Sequence, residues 1–212
     1  MRPSFITFEG IDGSGKSTHL DIAAAWFGER AIPALRTREP GGTVLGSALR
    51  QIFLDPAHGA VDGIVEMLIV FAARRQHLLE VIDPALAAGS HVLCDRFTDS
   101  TLAYQGFGRG VPLPQIHETD RLATGERRPD RTLLFDLPAG LARERRNPEG
   151  APGTDRMDAE RLEFYERVRR GYLALAEQEP ARFRLIDSTG TSEQTGAQVR
   201  AALSDLLEDT RA

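Results

Sequence analysis

An internal disulfide is closed to this chain, because Cys94 is the one cysteine among 212 residues. Five histidines are present without an H-E-x-x-H or other paired ligand spacing, which argues against a structural zinc site. The longest apolar stretch, 67–73, is far short of the ~18–20 residues that span a bilayer. A secretory leader would be apolar where Glu9 and Asp12 stand, so the expected location is cytoplasmic, with no membrane partner. Neither sign of charge dominates: 26 basic against 31 acidic side chains leave a net charge of −5, which excludes a general nucleic-acid or membrane-surface binder. Any anion must be met by a local site. Lysine is nearly absent too, since Lys16 stands alone beside 25 arginines. Whatever replaced lysine elsewhere left it at the one place where a compact ammonium, not a planar fork, is useful.

What is present is ordinary globular composition, with 41% hydrophobic and 27% charged residues, enough for one domain over 1–212 with a substantial core. Short β-rich runs at 4–8, 33–37, 91–94, 132–137 and 182–186 alternate with helical patterns. Helices are expected from Lys16, over 44–53, over 61–88 with Pro84 interrupting near Asp83, and over 192–208 with Leu203, Leu206 and Leu207 on one stripe. The alternation, with near-continuous apolar strands, predicts an α/β fold whose parallel sheet carries helices on both faces. One segment is loosely built: 147–154, with two prolines and two glycines.

The first strand runs directly into GIDGSGKST, residues Gly10, Ile11, Asp12, Gly13, Ser14, Gly15, Lys16, Ser17 and Thr18. This fits G-x-x-x-x-G-K-[ST] in its strand, loop, helix context. The glycines let backbone N–H groups turn inward around phosphate oxygens, and the following helix directs its positive end at them. Lys16 adds a charge, and the Ser17 hydroxyl is a Mg²⁺ ligand candidate. A guanine-reading switch protein needs Asn-Lys-x-Asp, and the only asparagine, Asn147, precedes proline. A motor-type ATPase commonly ends its acidic strand in Asp-Glu; here Asp95 is followed by Arg96, which suggests a second anion to hold.

Four blocks in order resemble the thymidylate kinase family: FEGIDGSGKST at 8–18, TREPGGT at 37–43, DRFTDSTLAYQG at 95–106, and an arginine-rich segment ending in DRMD at 155–158. The resemblance implies a nucleoside monophosphate kinase-like three-layer fold with a five-stranded parallel sheet, a mobile lid at about 143–156, and a homodimer. It also implies ATP and dTMP as substrates, with Mg²⁺. Asp12 resembles the acid that receives the 3′-hydroxyl of dTMP. Asp95 resembles the Mg²⁺-holding acid, with Arg96 as the clamp on the acceptor phosphate, a role suited to a bidentate guanidinium. Arg38 and Arg50 are candidates for the same pocket. In 67–82 the family places an aromatic one helical turn before an arginine that reads thymine. Here the arginine aligns with Arg74, while position 70 is valine, so stacking is assigned to Phe71, which shares the face of Arg74. Ser100 and Gln105 are expected near the base, with Tyr104 where a ribose 2′-hydroxyl would clash.

Eight arginines and seven acids lie within 143–170. Glu163/Arg167 and Glu166/Arg170 are i, i+4 pairs on a solvated helix, each worth only ~0.3–0.5 kcal/mol. Arg143, Arg145, Arg146 and Arg156 flank 147–154 instead. One branch of the family carries a catalytic arginine in its phosphate loop, and another has glycine there and supplies arginines from the lid. Gly13 fits the second, bacterial lid-arginine type, leaving Arg145, Arg146 and Arg156 as candidates. The turn after Asp187 is expected near adenine, and Cys94 is expected to pack in a buried strand.

Overall fold

The computed structural model of the chain describes residues 2–146 and 155–209. The expected lid is thus seen only at its flanks; 147–154 lies outside the described residues. The strands are β1 (Phe5–Glu9), β2 (Ala34–Arg38), β3 (His91–Asp95), β4 (Arg131–Asp136) and β5 (Phe183–Asp187). The helices are α1 (Lys16–Gly28), α2 (Val44–Leu54), α3 (Gly63–His77), α4 (Asp83–Ala87), α5 (Thr98–Thr101), α6 (Leu113–Thr124), α7 (Ala139–Arg146), α8 (Leu162–Gln178) and α9 (Ser192–Asp209). All pairings are parallel, and the five strands lie in the order β2-β3-β1-β4-β5.

Side chains alternate across the sheet, and both faces are apolar. Ile6, Phe8, Leu133 and Phe135 pack with Leu20 and Phe27 of α1 and with Leu203, Leu206 and Leu207 of α9. Leu134 joins Phe71, Leu102 and Tyr172 on the opposite face. Each buried leucine of the α9 stripe contributes about 1.5–3 kcal/mol, which fixes that helix beside α1. No helix among the described residues is long and apolar enough to cross a membrane.

Register positions the site. Asp95 pairs with Phe8 of β1 and with Arg38 of β2, while Glu9 pairs with Leu134 of β4. The carboxyl ends of β1, β2 and β3 therefore form one edge, where the strand order reverses and open sheets bind ligands.

The helical stretch expected over 61–88 is broken just ahead of Pro84, as expected, into α3, a π turn at Leu78–Ile82, and α4. The Asp62 side chain starts α3 by accepting from Ile64 N at 2.9 Å. Pro84, in the first turn of α4, offers no N–H and its ring crowds the carbonyl four residues back; a widened turn just upstream accommodates both. A second π turn, Leu102–Gly108, extends α5 and carries Tyr104 and Gln105. The pairs expected along α8 are also redirected. Arg167 donates to Gly108 O at 3.2 and 3.1 Å, and Glu166 accepts from Ala139 N at 3.2 Å. Unpaired backbone groups at the end of the π turn and the start of α7 capture them in place of an exposed ion pair.

Candidate active site

The glycines of the loop after β1 are there for space. Gly10 has φ +138°, and a Cβ would lie 2.5 Å from Phe135 O; Gly13 has φ +87°, and a Cβ would run into Ala142 O of α7. Gly15, with φ 91°, opens α1 with no side-chain cap, leaving the first amides of that helix available to an anion. Lys16 is buried and donates from Nζ to Ile11 O at 3.0 Å. Burial, with Arg96 nearby, pushes its ammonium down to about 8. Ser17 Oγ donates to Asp95 Oδ2 at 2.7 Å, while Asp95 Oδ1 is buried without a hydrogen-bond partner. A hydroxyl and a carboxylate with a spare oxygen make a hard-oxygen set that suits Mg²⁺. Beside Ser14, Gly15 and Thr18 a further pocket is lined by His19, Arg145, Ser188 and Gly190, so the turn after Asp187 does reach the loop.

On the other side of Asp12 lies a cavity lined among others by Asp12, Glu39, Arg50, Phe53, Val70, Arg74, Arg96, Ser100, Tyr104 and Gln105. Arg96 occupies its loop end with φ 74°, a left-handed conformation costly for a non-glycine residue. Its Nη2 donates to Asp12 Oδ1 at 2.6 Å, and its Nη1 donates to Gly10 O at 3.0 Å and to Ser100 Oγ and Tyr172 Oη at 3.1 Å. Tyr104 Oη donates to Asp12 Oδ2 at 2.9 Å. Burial alone would raise the Asp12 carboxyl, but Arg96 and Lys16 hold it well below the usual carboxylate range. Burial opposes the charge of Arg96, yet Tyr104 and Asp12 keep that guanidinium firmly protonated. Arg50 differs: burial, then the like charges of Arg38 and Arg96, lower it to about 10. Cations crowded in this way are relieved by an anion.

At the far end, Arg74 is buried, its guanidinium over the rings of Phe71 and Phe97, with its carbon 4.8 and 4.9 Å from their centroids. Phe71 belongs to the core and is not part of the cavity lining; Val70 and Phe53 are. The assignment of stacking to Phe71 is corrected on this geometry: successive helical residues are turned by about 100°, so residue 71 faces the interior when residue 70 faces the cavity. Gln105 lines the cavity and donates to the buried Glu66 Oε2 at 2.9 Å. Arg38 is exposed and lines an open groove with Ser17 and Asp95 rather than the cavity itself.

The arginines flanking 147–154 diverge. Arg143 is exposed. Arg145 is exposed and reaches Thr189 O at 3.5 Å. Arg146 donates to Tyr165 Oη at 2.9 Å and pairs with Asp158 at 3.2 Å. Arg156 turns away into the base of α2 and α3, where it donates to Phe53 O at 3.1 Å and to Glu66 Oε1 at 2.6 Å. The placement of Arg156 among the phosphoryl-facing candidates is corrected here: a buried, neutralising carboxylate captures it.

Several residues of the site were not singled out from the sequence. Glu9 accepts from Phe97 N, Ser100 Oγ and Tyr172 Oη at 2.6–2.9 Å, and burial, then Asp99, lifts its carboxyl to about 7. Its signal was available, as an acid closing a strand buried at every position. Glu39 stands likewise inside the TREPGG block. Tyr172 and Glu66 carry no local mark.

Comparison with known proteins agrees over nearly the whole chain. The family model described as Thymidylate kinase matches residues 8–199. A thymidylate kinase of Desulfovibrio desulfuricans is 49% identical over 208 residues, covering 96% of each chain. One from Ectopseudomonas mendocina is 45% identical over 211 residues and covers 100% of both. The crystal structure of thymidylate kinase from Ehrlichia chaffeensis superposes with a TM-score of 0.77 at 33% identity, over 96% of this chain and 99% of that one.

Proposed function

The chain belongs to the thymidylate kinase family, and from that premise we propose how its own residues perform the phosphorylation of dTMP. The reaction transfers the γ-phosphoryl group of ATP to the phosphate of dTMP, giving ADP and dTDP. The observation that supports the assignment is a shared edge: a phosphate loop and an arginine-rimmed cavity meet at Asp12, on opposite sides of one carboxylate.

ATP is assigned to Gly10, Ile11, Asp12, Gly13, Ser14, Gly15, Lys16, Ser17 and Thr18, with adenine toward Arg145 and the turn after Asp187. The acceptor is assigned to the cavity, its phosphate toward Arg96 and Arg50, with Arg38 acting from the adjoining groove, and its base toward Arg74, Gln105 and Ser100. Phe53 and Val70 supply the apolar wall for thymine. Asp12 receives the 3′-hydroxyl, and Tyr104, bonded to it, fills the space a 2′-hydroxyl would need. The attacking atom is a phosphate oxygen already ionised at neutral pH, so no general base is required. The protein aligns two polyanions and stabilises the charge that develops between them. Ser17 and Asp95 would hold Mg²⁺. Bound there, the ion would supply positive charge that offsets the charge of the phosphates.

Gly13 offers no side chain at its own place in the loop, and α7 packs against that glycine. We therefore assign transition-state charge to Arg146 and Arg145, in the lid-arginine manner. Arg146 also feels the charge of Asp12. Arg156 anchors the lid base. Closure of the lid would exclude water and suppress ATP hydrolysis. The protein is proposed to act as a homodimer in the cytoplasm; exposed Ile52 on α2 and Ile64, Val65 and Leu68 on α3 are apolar surface suited to a second copy.

Acceptor-dependent ADP formation tests the assignment. With Mg-ATP and a panel of monophosphates, dTMP is the preferred acceptor, dUMP is poorer, and dCMP and purine monophosphates fail. A methyl group is worth ~10–200-fold, whereas a mismatched hydrogen-bonding edge costs ~10⁴-fold or more. Comparable turnover of dCMP overturns the placement of the base.

A further inference from the structure

Arg74 reads the base only if its guanidinium is held in one orientation, and the surrounding residues achieve this in two steps. The rings of Phe71 and Phe97 restrict the plane of the group. Stacking leaves rotation within that plane free. The carboxylate of Glu39 removes that freedom: Oε2 accepts from Arg74 Nε at 2.6 Å, and both side chains are buried, at 2–3% exposure. Glu39 is the one hydrogen-bond partner of the Arg74 side chain among the described residues, and Nη1 has none. With Nε pinned by Glu39 and Arg74 among the residues that line the cavity, the buried, partnerless Nη1 is left to an acceptor that enters there.

Glu39 is itself fixed. Its Oε1 lies 3.0 Å from His77 Nδ1, and His77 Nε2 lies 2.6 Å from Thr37 Oγ1. Its backbone N donates to Asp95 O at 2.9 Å, tying the chain after β2 to the end of β3. Glycine at 42 makes room for this arrangement, since a Cβ there would collide with the His77 ring. A chain of four side chains, Thr37, His77, Glu39 and Arg74, thus runs from the strand edge to the cavity wall.

We propose that Glu39, held by His77, is a positioning residue for base discrimination: it orients Arg74 so that its free N–H groups meet a carbonyl acceptor on a pyrimidine and are left unpaired by an amino group. This deepens the assignment of Arg74 to the base and rests on it. A purely structural ion pair would neutralise a buried cation and affect all acceptors alike. A positioning carboxylate changes the ratio between them.

The test is the ratio of kcat/KM for dTMP to that for dCMP at saturating Mg-ATP, in Glu39→Gln, Arg74→Met and His77→Asn. A glutamine keeps the shape of the side chain but removes the negative charge that makes its bond to Arg74 Nε a strong, charge-assisted one. Glu39→Gln is expected to lower the ratio at least about tenfold, through KM for dTMP rather than kcat, and Arg74→Met to lower it further, toward loss of a discrimination of ~10⁴. His77→Asn, which keeps a donor near the Nδ1 position, is expected to hold the ratio within about threefold of the parent. A Glu39→Gln protein with an unchanged ratio, while Arg74→Met collapses it, overturns the proposal and leaves the assignment of Arg74 intact. If Arg74→Met also leaves the ratio unchanged, both fall. Should Glu39→Gln not fold, Glu39→Asp carries the same expectation, since the shortened carboxylate no longer reaches Nε, and an unchanged ratio there is equally fatal.

Discussion

Ser17 Oγ and Asp95 Oδ2 meet at 2.7 Å, although 78 residues separate them in the chain. One opens α1 and the other closes β3, so the contact exists only because β1 and β3 are neighbours in the sheet. The second oxygen of Asp95 is buried and unpaired, a costly state that a bound cation corrects. Asp95→Asn is expected to raise the Mg²⁺ concentration for half-maximal activity at least tenfold, a loss of about 1.4 kcal/mol in metal binding. Calorimetric dTMP affinity without Mg²⁺ should change little. A magnesium titration identical to the parent's would remove Asp95 from the metal site.

Lys16 gives a pH dependence of definite sign. Its unfolded-chain value of 10.5 falls to about 8 on folding, through burial first and then Arg96. Between those values the unfolded chain holds a proton that the folded one has released, so this group makes stability rise with pH from about 8 toward 10.5. ATP phosphates favour the protonated form, so binding reverses the trend. ATP affinity should be flat below pH 8 and fall by up to about tenfold per unit above it. Lys16→Met should abolish both the slope and turnover; a slope that persists in the variant would assign it to another group.

Arg50 is expected to trade stability for binding. Its lowered value, about 10, reflects burial and then the neighbouring Arg38 and Arg96. Its one hydrogen bond among the described residues, to Pro40 O, is long at 3.4 Å. Arg50→Met should therefore leave the free protein as stable or slightly more so by thermal melt. A lost charged hydrogen bond of ~1.5–3 kcal/mol should raise KM for dTMP by ~10–150-fold with kcat less affected. A drop in melting temperature with an unchanged KM would make Arg50 a structural residue.

The parts of the molecule legible in the sequence are those whose cause is local. The phosphate loop is a contiguous pattern, and the strands of the sheet are runs of apolar residues, so five strands and the helices α1, α2, α3 and α9 could be placed from period, whereas α6 and α7 were not. Phe71 and Val70 show the limit. A helical pattern states that a face is buried, but core and cavity are both apolar surroundings, and a one-residue choice between them turns on a core cluster shared with Leu102, Leu134 and Tyr172, residues distant in the chain. Arg156 shows a second limit: its partner Glu66 lies 90 positions away, and nothing near either residue marks the pair. The charges of α8 follow the same logic, because backbone groups brought by other elements outcompete neighbours at i+4.

Arg146 and Arg156, which the sequence treats alike, should separate in kinetics. Arg146 sits on the helix that abuts Gly13 and is bonded to Tyr165 at 2.9 Å. Loss of a charge-stabilising donor typically costs ~10²–10³ in kcat, and Arg146→Met is expected to fall in that range with a melting temperature close to the parent's. Equal kcat in the parent and the variant would leave the transition state to residues of 147–154 or to Arg145.

Glu66 provides the corresponding stability test. It is fully buried and accepts from Arg156 Nη1 at 2.6 Å, Arg109 Nη2 at 2.9 Å and Gln105 Nε2 at 2.9 Å. Glu66→Gln preserves the shape and removes the charge that offsets two guanidinium groups. Breaking a buried pair in this way costs ~3–5 kcal/mol, measurable by urea denaturation. Arg109 retains Glu160 at 2.6 Å, so most of the penalty falls on Arg156. That asymmetry predicts coupling: once Arg156 is replaced by methionine, Glu66→Gln should cost at least about 1 kcal/mol less than it does alone. Strict additivity of the two substitutions would show that Arg156 is neutralised by something other than Glu66, and the anchor assigned to the base of the lid would be lost.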